Sequence, residues 1–349
     1  MNTERFTDLL EKFDMDGLLL FSSPNVRYFS GFSGTEAIVL VCVENVIIFT
    51  DFRYTEQAGK ECKNVEVVEI TRKTKWETIA KYIALNHVNK LGFEEDSVSV
   101  ALFDLLKEHF SVVFKKGSML CNEMRSEKSE EEIKAIQKAQ AITEDAYLAV
   151  LPLIQDGVSE LYIAAALEAE MRKRGGIKPS FDTIVASGKR GAMPHGVASE
   201  KLIQKGEMVT MDFGCVYHGY CSDMTRTVAV SEPSDQMRNL YEVVQTAHKK
   251  AFSAGKYGAS LKDLDDAARG HIAEQGFGEN FGHGLSHGIG IEIHEPLPFT
   301  DGLPIGAVFS VEPGIYLAGV GGVRIENLAC MKESGIVDFN KTTTDLIVL

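Results

Sequence analysis

The sequence lacks both an excess of basic residues and any long apolar run. Its 36 lysines and arginines are outnumbered by 50 aspartates and glutamates, which gives a formal net charge of −14. Nucleic acids and anionic membranes bind positively charged surfaces, so we expect neither as a partner. No apolar run reaches the roughly 20 residues of a transmembrane helix, and the first residues, MNTERFTD, lack the apolar segment of a secretion signal.

Paired cysteine motifs are also missing. The six cysteines form no C-x-x-C pair, and a chain of 349 residues can bury a core without disulfide cross-links. Disulfides form in oxidising compartments, so free thiols predict a reducing environment and a cytoplasmic protein. The six are Cys42, Cys62, Cys121, Cys215, Cys221 and Cys330.

The first 120 residues alternate between helical and strand-like patterns. Ala37–Val43 and Val46–Thr50 predict a hairpin closed by the polar residues Glu44 and Asn45. Further short apolar strands alternate with helical patterns up to about residue 114. This alternation predicts a self-contained α/β domain.

A domain boundary is predicted within Lys115–Arg125, where periodicity is weak. Shortly afterwards Ser129 and Glu132 form a capping box, in which the hydroxyl and the carboxylate satisfy amides of the first helical turn. This pattern predicts a helix that runs to about Leu153, and a second helix is expected near Ser159–Arg174. Strand and turn patterns then follow, interrupted by two more predicted helices, near Met237–Ser253 and Leu261–Gln275.

Two aspartates flank a predicted hairpin turn. The strands Glu207–Asp212 and Tyr220–Val230 are joined by a turn at 217–219. If the turn is centred between residues 217 and 218, Asp212 and Asp223 face each other with their Cβ atoms roughly 4.5–5.5 Å apart.

Two glutamates show the same arrangement farther along the chain. The strands Ala307–Glu312 and Val323–Met331 flank a turn centred on Gly319, which places Glu312 opposite Glu326. Facing like charges destabilise a sheet, and one such pair could also be solvated carboxylates on an edge strand. Two pairs in one domain indicate that cations compensate them.

Three histidines, His283, His287 and His294, lie close together among glycines that let the backbone approach a ligand closely. One imidazole can bind a metal, while others can donate a hydrogen bond to a substrate carbonyl or carry a proton. His195 follows Pro194 in a turn and, taken alone, is typical of a surface histidine. An oxygen-rich ligand set with one imidazole suits hard or borderline divalent metals, so the sequence predicts a metalloenzyme.

At these residues the chain resembles the aminopeptidase P and prolidase branch of the creatinase-fold, or pita-bread, metallopeptidases. The match covers nearly the whole chain, with the motifs in family order. It implies an α/β (α+β) fold, with an N-terminal creatinase-like domain at residues 1–122 and a pita-bread catalytic domain at residues 123–349. The motifs are YFSGFSG (28–34), TDFRY (50–54), SFDTIVASG (180–188), PHG (194–196), MDFG (211–214), SDMTR (222–226), HGLSHGIGIEIHE (283–295), VEPG (311–314) and RIEN (324–327).

The resemblance implies a site for two divalent metal ions. Asp212 would chelate one ion, His287 and Glu312 would bind the other, and Asp223 and Glu326 would bridge them. His195, His283 and His294 would line the substrate side, and Tyr316 and Arg324 would hold the Asp212 carboxylate. Four carboxylates and one histidine suit Mn²⁺, although Co²⁺, Zn²⁺ and Fe²⁺ can occupy such ligands.

The resemblance also implies the reaction and its substrates. Two ions roughly 3.5–4 Å apart would share a water and lower its pKa, creating a hydroxide that attacks the carbonyl. Glu312 would take and return the proton. The expected activity is that of an exopeptidase, which hydrolyses the Xaa-Pro bond at the N-terminus of short peptides or dipeptides. We also expect a homodimer.

Several alternatives remain open. A strict Xaa-Pro dipeptidase (prolidase) anchors a free C-terminal carboxylate, whereas aminopeptidase P accepts longer peptides. Methionine aminopeptidases share the ligands but usually lack a domain like residues 1–120, and creatinase works without metal. A non-catalytic binding protein on this fold is a further alternative, but such members have lost ligands, and all five are present here.

Overall fold

A computed structural model describes residues 2–349, which form two compact units. The first unit ends at Arg125, and the second covers Ser126–Leu349. Within the described residues, no helix combines the length and the apolar composition needed to cross a membrane.

The first unit is built on one six-stranded mixed sheet. Its strands are β1 Gly17–Leu20, β2 Ala37–Cys42, β3 Val46–Thr50, β4 Glu66–Glu69, β5 Lys90–Phe93 and β6 Val113–Lys116. Its helices are α1 Thr3–Lys12, α2 Ser23–Ser30, α3 Thr55–Glu61, α4 Lys75–Leu85, α5 Val100–His109 and α6 Ser118–Ser126. The strand order is β4-β3-β2-β1-β5-β6, and β1 pairs antiparallel with β2 and parallel with β5.

Both faces of this sheet are covered, which explains the uninterrupted apolar sequence of β1. Leu18 and Leu20 point into one core with α1 and α2, whereas Leu19 points into a second core with α4 and α5. A strand buried on both faces reads as a continuous apolar run rather than an alternating one. The predicted hairpin of β2 and β3 is confirmed.

The segment of weak periodicity before Arg125, where a domain boundary is predicted, contains a helix that the sequence pattern does not indicate. Helix α6 occupies Ser118–Ser126, and its residues Leu120, Cys121 and Met124 are fully buried in the core shared with α1 and α2. Three buried apolar residues in nine form too short a stripe to stand out as a helical period. Packing against the rest of the unit supplies the stability that the local sequence does not indicate.

The second unit combines four helices with several small sheets. Its helices are α7 Glu130–Val150, α8 Glu160–Lys173, α9 Asp235–Ala254 and α10 Leu261–Glu274, with 3₁₀ turns at Leu151–Leu153, Gly188–Ala192 and Gly278–Asn280. Its strands are β7 Lys178–Pro179, β8 Ile184–Ser187, β9 Met208–Phe213, β10 Cys215–Tyr217, β11 Tyr220–Cys221, β12 Met224–Ala229, β13 Val308–Val311, β14 Gly314–Leu317, β15 Gly321–Arg324, β16 Asn327–Lys332 and β17 Gly335–Asp338.

Each pair of helices packs on its own group of strands. Helices α7 and α8 bury their apolar faces against β8, β9 and β12, and α9 and α10 pack against β13 to β16. The capping box at Ser129 and Glu132 is confirmed, since both reciprocal hydrogen bonds are formed at the start of α7. The strands carrying the motif residues are therefore held between two layers of helices.

The register predicted for the first carboxylate hairpin is wrong by two residues. Asp212 on β9 pairs with Thr225 on β12, and Tyr217 pairs with Tyr220. His218 and Gly219 form the two-residue turn because both adopt positive φ angles, 47° and 83°, as a type I′ turn requires. Asp223 is thus a diagonal neighbour of Asp212, but a slip of two residues keeps both side chains on one face of the hairpin.

The register of the second carboxylate hairpin is confirmed. Val311 pairs with Asn327 and Gly314 pairs with Arg324, so Glu312 and Glu326 lie at corresponding positions between the two ladders. Gly319, with a φ angle of 76°, lies in the turn as expected.

We predict that Gly214→Ala destabilises the first hairpin. A Cβ at Gly214 would lie 1.9 Å from the backbone oxygen of Ser222, a contact that can be relieved only by moving the strands apart. Urea unfolding of the metal-free protein should show a free energy of unfolding that is lower than that of wild type by about 1–3 kcal/mol. Gly270→Ala in α10 is the control, because nothing lies within 4 Å and alanine favours the helix by about 0.5–1 kcal/mol. Unchanged stability of Gly214→Ala would contradict this hairpin geometry.

Candidate metal centre

Four carboxylates lie where the ladders of the two hairpins end or are interrupted. They are Asp212 on β9, Asp223 before β12, Glu312 after β13 and Glu326 between β15 and β16. At the interruption the Glu326 amide donates to Thr225 O at 3.1 Å, and the Glu312 amide donates to Leu285 O at 2.9 Å. The backbone of both glutamates is therefore fixed by segments other than their own hairpin partner, a strand for Glu326 and a loop for Glu312.

The backbone of His287 runs alongside β13. Its amide donates to Ser310 Oγ at 3.0 Å, and its carbonyl accepts from the Ser310 amide at 2.9 Å. Nδ1 of the ring lies 3.2 Å from the Gly288 carbonyl oxygen, which can only accept. Nδ1 therefore carries a proton, and Nε2 faces the carboxylates.

The imidazole and the carboxylates converge on one point. Nε2 of His287 lies 3.3 Å from Glu312 Oε1 and 3.6 Å from Asp223 Oδ2. One ligating atom from each of Asp223, His287 and Glu326 lies within 4.8 Å of the others. This spacing allows one cation to contact all three side chains.

Three carboxylate oxygens of the cluster are buried and have no hydrogen-bond partner among residues 2–349. They are Asp212 Oδ1, Asp223 Oδ1 and Glu326 Oε1. A buried polar atom without a partner costs free energy, and a charged oxygen costs more than a neutral one. Oxygen ligands with one imidazole suit a divalent cation, so these residues fit a metal.

The electrostatics of the cluster also favour a bound cation. Burial raises the pKa of Asp223 and of Glu326 well above the ordinary range, and repulsion from the neighbouring carboxylates adds to the effect. For Glu312, burial is the largest single effect and acts in the same direction, but the hydrogen bond with His287 and the positive charges of nearby groups, among them Arg324, together outweigh it and lower the pKa. Without a cation, the site therefore resists ionisation of two of its four carboxyls.

Arg324 is the permanent cation in direct contact with this cluster. Its Nη2 donates to Asp212 Oδ2 at 2.7 Å, and its side chain is 4% exposed. Its Nε donates to Thr225 Oγ1 at 3.1 Å, and Thr225 donates to Glu326 Oε2 at 2.8 Å. Arg324 thus orients Asp212 directly and Glu326 through Thr225.

Tyr316 makes no direct hydrogen bond with Asp212 and is linked to it through Arg324. Its hydroxyl accepts from Arg324 Nη1 at 2.9 Å and donates to His283 Nε2 at 2.8 Å. Nδ1 of His283 donates to the Gly284 carbonyl at 2.8 Å, which fixes the neutral tautomer, and burial lowers the pKa of His283. Tyr316 therefore holds a neutral His283 and reaches Asp212 only through Arg324.

A cavity of about 490 Å³ opens above the carboxylates. His195, His283 and His294 line it together with the five expected ligands. The ring of His294 lies edge-on to that of His287, with 4.5 Å between centroids. The cavity brings together every site residue predicted from the sequence except Tyr316, which contacts two residues of its wall.

Two hydroxyl residues of the site were not predicted. Thr225 joins Arg324 to Glu326, and Ser310 donates to Glu312 Oε1 at 3.1 Å while accepting from the His287 amide. Thr225 lies two residues after Asp223 and Ser310 lies two residues before Glu312, so each shares a strand face with a carboxylate. This spacing of two residues from a carboxylate was the signal in the sequence that could have identified both hydroxyl residues.

Comparison with known proteins identifies the family. Residues 134–333 match the model of metallopeptidase family M24, and residues 3–126 match that of the creatinase/prolidase N-terminal domain. The chain therefore belongs to metallopeptidase family M24.

Similar proteins align with nearly the whole chain. The structure of an Xaa-Pro dipeptidase from Bacillus anthracis is 40% identical, covers 99% of both chains and gives a TM-score of 0.95. The structure of an X-Pro aminopeptidase from Thermotoga maritima is 37% identical, covers 98% of this chain and 100% of its own, and gives a TM-score of 0.91. An Xaa-Pro dipeptidase of Pyrococcus horikoshii is 38% identical over 99% of this chain and 98% of its own.

These findings confirm the predicted family and fold class, and they confirm a metallopeptidase. Membership of a metallopeptidase family implies divalent metal ions, in agreement with the buried oxygens that lack partners. The roles of the individual residues, the number of ions and their identity stay predictions.

We predict that Asp223→Asn stabilises the metal-free protein and removes its response to metal. Because the pKa of Asp223 is raised above its ordinary value of 3.8, the folded state holds the proton more tightly than the unfolded state. The resulting destabilisation is absent below about pH 4 and grows as the pH rises towards the folded-state pKa. At pH 7 we expect the free energy of unfolding of metal-free Asp223→Asn to exceed that of metal-free wild type by about 1–3 kcal/mol.

Urea unfolding between pH 4 and pH 8, with and without Mn²⁺, tests this prediction. Metal at a hundred times its dissociation constant should raise the free energy of unfolding of wild type by about 2.7 kcal/mol. The same metal concentration should raise that of Asp223→Asn only slightly. Asp301→Asn, at an exposed aspartate of the same unit, is the control and should behave as wild type. A metal-free Asp223→Asn protein less stable than wild type at pH 7 would contradict the electrostatic argument.

Proposed function

We propose that this protein hydrolyses the bond between an N-terminal residue and a following proline, and that dipeptides are its preferred substrates. The observation that carries the proposal is the buried cluster of four carboxylates and one imidazole, three of whose oxygens lack partners. End-to-end similarity to Xaa-Pro dipeptidases at 38–40% identity supports this choice of substrate. The proposal includes a cytoplasmic location and a homodimer, and light scattering at the monomer mass of 38.4 kDa would contradict the dimer.

The ligand assignment uses two divalent ions, with Mn²⁺ as the proposed metal and Co²⁺, Zn²⁺ or Fe²⁺ as alternatives. Asp212 would hold one ion, and His287 and Glu312 would hold the other. Asp223 and Glu326, whose carboxyls are the most deeply buried of the four, would be shared by both ions. When bound, such ions supply Lewis acidity, which lowers the pKa of water and polarises a carbonyl.

Side chains of the protein accept the proton and contact the substrate. Glu312 is the proposed proton acceptor, because its low pKa leaves it ionised and Ser310 fixes its Oε1. His294 has no hydrogen-bond partner among residues 2–349, so its ring is available to a substrate. His195, on the same wall, can contact the substrate from another side, and His283 remains neutral.

A second candidate is an aminopeptidase that accepts longer peptides. The similarity to the X-Pro aminopeptidase of Thermotoga maritima, 37% identical over 98% of this chain, favours it. The two activities use the same metal ligands and differ in the space beyond the proline. A strict dipeptidase must recognise the free carboxylate of proline, whereas an aminopeptidase must leave that side open.

We predict metal-dependent release of alanine from Ala-Pro. Chelator-stripped protein should be inactive, Mn²⁺ should restore activity, and Asp223→Asn should remain inactive with Mn²⁺ because a bridging ligand is lost. Slow cleavage of Ala-Pro-Ala relative to Ala-Pro supports the dipeptidase, and comparable rates support the aminopeptidase. Absence of cleavage with Mn²⁺, Co²⁺, Zn²⁺ or Fe²⁺ would contradict both.

We further predict that Tyr316→Phe lowers kcat for Ala-Pro by roughly tenfold to a hundredfold, as expected for loss of a group that orients a site residue. The substitution removes the hydroxyl that joins Arg324 to His283 and adds no volume. Metal content, measured by elemental analysis, should not change, because Arg324 still contacts Asp212. Tyr257→Phe, at a tyrosine that is 64% exposed, is the control. Equal loss of metal and activity would show that Tyr316 acts on the ligands instead.

A further inference from the structure

His294 lies on a short loop whose two ends are joined by backbone hydrogen bonds. The Gly288 amide donates to Glu295 O at 3.1 Å, and the Glu295 amide donates to Gly288 O at 2.8 Å. Gly288 also bridges to Phe309 of β13, so the base of the loop is attached to a core strand. The loop between these ends, residues 289–294, carries the histidine that faces the cavity.

The side chain of Glu295 folds back into this loop. Its Oε1 accepts from the Ile291 amide at 2.8 Å and from the Glu292 amide at 3.2 Å. Gly290 makes this possible, because a Cβ there would lie 2.5 Å from both carboxylate oxygens. The carboxylate thus fixes the backbone of the loop from within.

Lys128 forms an ion pair with this carboxylate from a different part of the chain. Its Nζ lies 3.0 Å from Glu295 Oε2, and the two side chains are 1% and 3% exposed. The Lys128 backbone is fixed by Ser129, which caps α7, and by its own amide, which donates to Gly306 O at 3.2 Å before β13. Loss of Lys128 would take a buried positive charge and a hydrogen bond away from this carboxylate, so the carboxylate and the loop amides bound to it would have to rearrange.

The imidazole of His294 makes no hydrogen bond within residues 2–349, so the backbone of its loop sets its place. We propose that Lys128 is a positioning residue for His294, acting through Glu295 and the loop between Gly288 and Glu295. This inference rests on the proposed function, in which His294 contacts the substrate. Lys128 itself is not among the residues that line the cavity.

Substitution of Lys128 should therefore reduce turnover through His294 and not through the metal. With Lys128→Met we expect kcat for Ala-Pro to fall about tenfold to a hundredfold, as for a catalytic group displaced by about 1 Å. Metal content and KM should stay within about twofold of wild type. Lys332→Met is the matched control, because it breaks an exposed pair with Glu130, 29% and 68% exposed, on the same unit.

A double-mutant cycle separates positioning from a general structural effect. In a His294→Ala background, Lys128→Met should cost less than about twofold in kcat, because the group that it positions is already gone. The same tenfold loss in both backgrounds would overturn the proposal, as would full activity of Lys128→Met. If Lys128→Met does not fold, Gly290→Ala replaces it in the cycle, since its Cβ displaces the Glu295 carboxylate while Lys128 stays in place.

A spectroscopic readout keeps this inference distinct from the proposed function. In protein labelled with ¹⁵N-histidine, the imidazole signals of His294 are assigned by their loss in His294→Ala. They should shift in Lys128→Met or Gly290→Ala and not in Lys332→Met. If wild type fails to cleave Ala-Pro but these signals shift, the proposed function falls and the positioning by Lys128 stands. Unshifted His294 signals in both variants would overturn the positioning.

Discussion

The mutual repulsion of four carboxylates in one partly buried cluster is the constraint on which the second unit depends. Burial and neighbouring charges raise the pKa of Asp223 and Glu326, and three oxygens of the cluster have no partner within residues 2–349. Arg324 supplies one permanent positive charge, which does not balance four carboxylates. On our proposal divalent ions supply the remainder, so metal binding and stability of the folded state are linked.

The two hairpins hold this cluster in place by bonding to each other at their centres. Thr227 Oγ1 accepts from the Arg324 amide at 3.3 Å and donates to the Arg324 carbonyl at 2.9 Å. Thr225, two residues before Thr227 on the same strand, connects Arg324 to Glu326. Because strand side chains alternate between faces, the residues that bind the cluster are also those that join the hairpins.

Local patterns predicted much of the fold, and long-range packing decided the rest. The Ser129 capping box and the Glu312–Glu326 register follow from nearby residues, whereas the Asp212–Asp223 register depended on which two residues, His218 and Gly219, could adopt positive φ. The five proposed metal ligands and the three cavity histidines could be named from motifs. The contact between Lys128 and Glu295 joins residues 167 positions apart, and no local pattern indicates it.

Anomalous diffraction from crystals grown with Mn²⁺ would show directly whether this cluster holds two ions. We expect two manganese peaks per chain, one contacting Asp212 and the other contacting His287 and Glu312, with Asp223 and Glu326 contacting both. A single peak would contradict the two-ion assignment. The absence of any peak among these five residues, in crystals of active protein, would contradict the assignment of this cluster as the metal centre.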